Sequence, residues 1–236
     1  NGYMTEEALN AIAPYLDADF PVYALAAIGF LDGEVTLQSI AEMASTYLRA
    51  IRHVQPHGPY RVAGWSAGGT IAYEIARQLL EAGEVVEYLG LIDTTSDYSG
   101  LKRQLALPLG AITEVDDAAI LLASLAHDVP QSLLQELQAL AASGAVTAML
   151  EHCRSAGIFH ADIDTTTLRR HLAVRASIQR ALIDNMPLPI PVRVTLFTAA
   201  EGARAELAQG WAALAQAGME VLSVQGNHYS IMEAPN

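Results

Sequence analysis

One stretch restricts the fold more than any other. Gly64-Trp65-Ser66-Ala67-Gly68-Gly69 is entered from the strand-like run Tyr60-Arg61-Val62-Ala63 and left at once through a helix-forming run, Thr70 to Ala82. Gly-x-Ser-x-Gly between a strand and a helix is the pattern of a nucleophile elbow. A strand that turns straight into a helix forces its apex residue into a strained conformation. The positions two before and two after are therefore expected to need almost no side chain, and Gly64 and Gly68 meet that need. The helix that follows directs its N-terminal dipole and its unpaired N–H groups at the same spot. Ser66 is thus a candidate nucleophile, and the Ala67 N–H a candidate oxyanion donor. The five-residue pattern alone would fit a plain Gly/Ser turn. The gapless strand–turn–helix context favours the nucleophile.

The rest of the chain predicts an α/β architecture. Val22 to Ile28 is a short apolar run before Gly29 and reads as a buried strand. Leu37, Ile40, Ala44, Leu48 and Ile51 are spaced as one face of a helix, broken by His57-Gly58-Pro59. Val85 to Ile92 reads as a strand ending at Asp93, and Val192 to Thr198 as another. A helix over Ala203 to Ala217 and a last strand over Met219 to Val224 follow. Strands alternating with helices imply a mostly parallel sheet with helices on both faces. Between Ser99 and Asn185 the texture changes to amphipathic stretches: Asp116–His127, Ser132–Ala142, Val146–Ala156 and Thr167–Asp184. We read residues 1–98 and 186–236 as the core and residues 99–185 as a helical lid insertion.

Composition narrows the function. With 13 Lys+Arg against 26 Asp+Glu the net charge is −13, which argues against nucleic acid, since phosphate binding needs clustered cations. Hydrophobic residues make up 52% of the chain, too many for a disordered segment. No apolar run approaches a membrane span, and the first residues do not read as a signal peptide. Cys153 is the only cysteine, which removes disulfide scaffolds and Cys-rich zinc sites and suits a reducing cytoplasm. Its neighbour His152 faces elsewhere on a helix, so Cys153 is read as an inert packing residue.

A serine hydroxyl needs a base, and the base needs an orienting acid. Of the seven histidines, His53 and His57 flank a helix end, while His127, His152, His160 and His171 lie in or beside the helical insertion. His228, in Gln225-Gly226-Asn227-His228-Tyr229-Ser230, follows the last expected strand and completes the chain order Ser…acid…His. Three carboxylates compete for the third role. Asp93 leaves the same sheet edge as Ser66 on a short side chain. Glu201 follows the next strand, the position most such folds use, and Asp184 ends the insertion. Spacing favours Asp93 and leaves the others open.

Taken together, Tyr47 to Gly69, Gly90-Leu91-Ile92-Asp93-Thr94 and Val221 to Met232 resemble the type I thioesterase domains of nonribosomal peptide and polyketide synthases, within the α/β-hydrolase superfamily. The likeness covers the core on both sides of the insertion, which matches only in its helical character. The family carries its acid one strand earlier than usual, so the resemblance points to Asp93. It implies no cofactor or metal of the chain's own. It also implies a substrate acyl or peptidyl chain on the phosphopantetheine arm of a carrier protein domain, the expected partner. Such domains normally supply a second oxyanion N–H from a loop that would lie upstream of Asn1, and they continue past His228 into a closing helix. The chain is accordingly expected to be clipped at both ends. Asn227 stands where the family often has Asp. Three rival readings share the sequence: a free-standing editing thioesterase, an esterase or lipase acting on soluble esters, and a non-catalytic hydrolase-like binding module.

Overall fold

The computed structural model describes residues 13–16, 21–30, 34–98, 122, 130–143, 145–158, 165–201 and 205–232. Among them are four strands, β1 (Tyr60–Trp65), β2 (Val86–Ile92), β3 (Val194–Ala199) and β4 (Met219–Val224). The helices are α1 (Ile40–Val54), α2 (Ala67–Glu81), α3 (Gln131–Ala142), α4 (Val146–Ser155), α5 (Thr165–Asp184) and α6 (Ala205–Ala212). The chain divides into two compact units. One comprises Asn1–Ala26, Ser39–Tyr98 and Asp184–Asn236; the other comprises Ala27–Gln38 and Ser99–Ile183.

The first unit is a parallel sheet in the order β1-β2-β3-β4, flanked by helices. Helix α1 begins where Ser39, in extended conformation, accepts a hydrogen bond from the Glu42 N–H at 3.1 Å. Its buried residues Ile40, Met43, Ala44, Tyr47 and Leu48 fall at the i, i+3, i+4, i+7 and i+8 positions of one face. It stops at Gln55, because the residue before Pro56 is driven to extended backbone. Helix α2 runs from the elbow and ends at Gly83, whose φ of 77° suits a residue without a Cβ. Strand β2 buries Leu89, Gly90 and Leu91 in succession, as a central parallel strand covered on both faces should. The core gathers Tyr73 and Ala76 of α2, Leu89 and Leu91 of β2, Leu196 of β3 and Trp211 of α6. The Tyr73 and Trp211 rings lie 4.7 Å apart. The Tyr73 hydroxyl is within 2.9 Å of the Leu188 carbonyl and 3.0 Å of the Leu214 carbonyl, so this buried polar tip is satisfied.

Two expectations are corrected. Residues 21–27 form no strand, and Val22, Tyr23 and Leu25 are exposed. Three of the seven residues from Val22 to Ile28 are alanines, poor strand formers, and none of the run joins a ladder among the described residues. The helix expected over Ala203–Ala217 is shorter. The Ile190 N–H donates to the Leu214 carbonyl, and the Gln216 N–H donates back to Ile190, both at 3.0 Å. This parallel bridge between Ile190 and Ala215 draws the chain out of its helix. The other strands and helices of the core differ from their expected bounds by a few residues at most.

In the second unit α3 and α4 pack on each other, burying Leu133, Leu137, Met149, Leu150 and Cys153. Burial raises the Cys153 thiol to about 11, so it stays protonated at neutral pH. On α5, Val174 packs against Gly29, where a Cβ would approach to 2.8 Å, and the Ser177 hydroxyl donates to the Leu37 carbonyl. The helix expected over Asp116–His127 lies outside the described residues, apart from helical Leu122.

Candidate active site

All four strands are parallel, so their carboxyl ends share one edge of the sheet, and each candidate catalytic residue leaves from that edge. Ser66 directly follows β1, Asp93 directly follows β2, and His228 stands four residues beyond β4. Ser66 has φ 54° and ψ −124°, and Asp93 has φ 44°. These are the two positive-φ residues other than glycine among the described residues, a cost of about 1–3 kcal/mol each that only a surrounding structure can sustain.

The steric reasons for the elbow differ in one respect from expectation. A Cβ at Gly64 would lie 2.2 Å from the Gly68 carbonyl oxygen, so position 64 must be bare. Gly68 faces open space within 4 Å. The second bare position is Gly69, where a Cβ would lie 2.0 Å from Thr94 Oγ1. The turn closes against backbone on one side and against the residue after Asp93 on the other.

A continuous line of polar contacts joins the three side chains. Ser66 Oγ is 3.0 Å from His228 Nε2, and His228 Nδ1 is 2.6 Å from Asp93 Oδ2. In the tautomer with the proton on Nδ1, the carboxylate is the acceptor and the Nε2 lone pair faces the serine hydroxyl. The other carboxylate oxygen, Asp93 Oδ1, accepts from the Ala199 N–H at 3.1 Å, and the Asp93 N–H donates to Phe197 at 2.7 Å. Strand β3 thus fixes both the backbone and the side chain of Asp93. Its side chain is 10% exposed against 31% for His228, so the pair is sheltered at the acid end and open at the base.

The loop carrying His228 is built from its own neighbours. Gly226 has φ 105°, and Asn227 Oδ1 accepts from the N–H groups of Tyr229 and Ser230 at 2.9 and 3.1 Å. That Asx turn needs only an acceptor oxygen, which explains why Asn serves at 227. Trp65 adds a tie from the elbow. Its Nε1–H donates to the His228 carbonyl at 2.8 Å, and its ring lies 4.9 Å from the imidazole at a 32° tilt.

The remaining candidates lie elsewhere. Glu201 is exposed, and its N–H is bonded to the Gly226 carbonyl at 2.9 Å. Asp184 is exposed at the end of α5. His53 and His57 are exposed, His152 pairs with Glu136, and His171 meets the edge of Phe30. His127 and His160 lie outside the described residues. The described residues hold no group of three His, Cys, Asp or Glu side chains able to bind a metal. Ala67 opens α2, and helix geometry leaves its N–H without an intrahelical acceptor. Sequence reading missed Trp65 and Thr94. The first stands inside the elbow motif but could not be linked to a loop 163 residues away, and the second resembled an ordinary turn residue.

A parallel sheet with this edge defines an α/β-hydrolase type of protein, and comparison with known proteins agrees. The family model described as "Thioesterase domain" matches residues 5–236, and the chain belongs to that family. A non-reducing polyketide synthase of Nectria sp is 32% identical over 231 residues, covering 94% of this chain and 11% of the synthase. An inactive atromentin synthetase of Paxillus involutus is 40% identical over 111 residues, covering 44% of this chain and 12% of that protein. Among solved structures, a four-domain nonribosomal peptide synthetase bound to AMP and glycine is similar at 25% identity and a TM-score of 0.74. That match covers 95% of this chain and 17% of the synthetase. The chain therefore spans about a tenth of the curated relatives named here, 11% and 12%. Thioesterase domains at lower identity share the fold.

Proposed function

We propose that this chain is a serine thioesterase. It releases an acyl or peptidyl chain from the phosphopantetheine thioester of a carrier protein domain, by hydrolysis or by intramolecular cyclisation. The observation that carries the reading is the line of contacts from Ser66 Oγ through His228 to Asp93, at 3.0 and 2.6 Å. We further propose residues 1–98 and 186–236 as the catalytic core and residues 99–185 as its lid.

Ser66 Oγ attacks the thioester carbonyl carbon while its proton passes to His228 Nε2. The carbonyl oxygen takes up the displaced electron pair and is held by the Ala67 N–H together with a second donor. One such donor contributes about 2.7–4 kcal/mol to the transition state. The tetrahedral species collapses, the carbon–sulfur bond breaks, and His228 returns the proton to sulfur. The products are a carrier thiol and an acyl-Ser66 ester. In the second half, water or a hydroxyl or amine within the acyl chain gives its proton to His228 and attacks that ester. Ser66 leaves with the proton, and the product is a free acid, a lactone or a lactam. Throughout, the Asp93 carboxylate holds the imidazole in one tautomer and stabilises the imidazolium that forms twice per turnover.

Release from an acyl-loaded carrier tests the reading. Ser66→Ala is expected to lower the rate at least a thousandfold, since nucleophile loss removes the covalent route. A Ser66→Ala chain releasing product at the parent rate would overturn it.

A further inference from the structure

Thr94 is fully buried, yet its hydroxyl takes no part in the line from Ser66 to Asp93. Its one hydrogen is shared between two carbonyl oxygens at 3.1 Å, those of Ser66 and Ile92. The first of these belongs to the same peptide unit as the Ala67 N–H. A trans peptide is planar, with its C=O and N–H pointing in opposite directions, so whatever anchors the oxygen sets where the N–H aims. In a regular helix the ladder does this. Ser66, at φ 54° and ψ −124°, is the N-cap, so the ladder reaches its carbonyl only through the first turn of α2. That bond comes from the Gly69 N–H at 3.0 Å, and the Thr94 hydroxyl adds an anchor from outside the helix.

Thr94 is itself held without slack. The Trp211 Nε1–H donates to its carbonyl at 2.8 Å, and bare Gly69 leaves room for its side chain. Its neighbour Asp93 is fixed to β3 at both backbone and side chain. The residue after the acid therefore latches the peptide that opens α2.

We propose that Thr94 is a positioning residue whose hydroxyl, bonded to the Ser66 carbonyl, aims the Ala67 N–H at the developing oxyanion. Donation to that carbonyl also polarises the peptide and strengthens its N–H as a donor. The proposal rests on the reading of Ser66 as nucleophile.

Labelling of the full chain by an alkyl fluorophosphonate tests it, because the phosphoryl oxygen occupies the place of the oxyanion while Ser66 attacks phosphorus. Thr94→Val keeps the shape and removes the donor; Thr94→Ser keeps the donor. Valine is expected to slow labelling about tenfold or more, the scale of a misaimed oxyanion donor, and serine to restore a rate close to the parent. With a thioester substrate, Thr94→Val should lower kcat per folded chain and leave KM unchanged, whereas simple loss of stability would lower apparent kcat only in proportion to the folded fraction, read by thermal melting. Should the valine chain not fold, Thr94→Ala against Thr94→Ser supplies the same contrast. Equal labelling rates for the folded valine (or alanine) and serine chains would overturn the proposal. A Ser66→Ala chain that still labels would instead remove the nucleophile reading on which it stands.

Discussion

At the residue scale the site is a matter of two strained turns and what holds them. Ser66 and Asp93 occupy left-handed backbone, and each presents a side chain that a relaxed turn would not. The acid can be assigned by experiment. Asp93→Asn, which cannot hold the Nδ1–H tautomer, is expected to lower kcat about ten-thousandfold, and Glu201→Gln to change it less than about twofold. The reverse outcome in the same release assay would move the acid to the strand β3 position. The glycines give a second test by thermal melting. Gly68→Ala has open space and a helical backbone and should be neutral or stabilising by up to about 1 kcal/mol. Gly69→Ala drives a Cβ into buried Thr94 and should cost about 1–3 kcal/mol and slow acylation as well. Sequence alone assigned these demands to Gly64 and Gly68. The pattern records which positions are glycine but not which neighbour each must clear, and Thr94 becomes a neighbour only once β2 lies beside β1.

At the scale of elements, most of what positions the site was legible. The apolar period of α1, the run into and out of the elbow, and strands β2 to β4 all follow from local pattern and turn residues. The errors came where a distant partner decides. Residues 21–27 are apolar but enter no ladder among the described residues, and α6 is cut short by a bridge to Ile190 that no local signal announces. The far end of β1 shows a similar long-range tie. Glu84 Oε2 accepts from the Gly58 N–H at 3.0 Å, and Oε1 lies 3.4 Å from His57, beside the Tyr60 N–H bond to Val85. The Gly58 N–H first, and His57 after it, hold the Glu84 carboxyl below its ordinary value of 4.5. A carboxylate whose native pKa is depressed stabilises the fold fully above its unfolded value and loses that contribution as pH falls through the native one. Glu84→Gln should therefore lose less stability than the parent on acidification below pH 4.5, measured by urea unfolding at stepped pH. Parallel acid profiles would show that the contact contributes nothing.

At the scale of the whole molecule, the sequence carries net charge −13, and no helix among the described residues is long and apolar enough to cross a membrane. The site line converges because a parallel sheet delivers strands far apart in sequence to one edge, which is why three residues spread over 162 positions could be read as one constellation. What could not be read at this scale is the substrate, since neither composition nor the elbow encodes an acyl chain. If a carrier presents that chain, binding contributed by the carrier should appear in kcat/KM. The same acyl group is expected to be released at least tenfold more efficiently from a loaded carrier domain than from a small aryl ester. Equal efficiencies would favour an esterase acting on soluble esters.

The most direct measurement is the intact mass of the chain, quenched within one turnover after mixing with an acyl-loaded carrier and followed by peptide mapping. The account predicts a mass gain equal to the acyl group, carried on the peptide containing Ser66 and missing from Ser66→Ala. Acylation of another residue, or an undiminished adduct in Ser66→Ala, would contradict it.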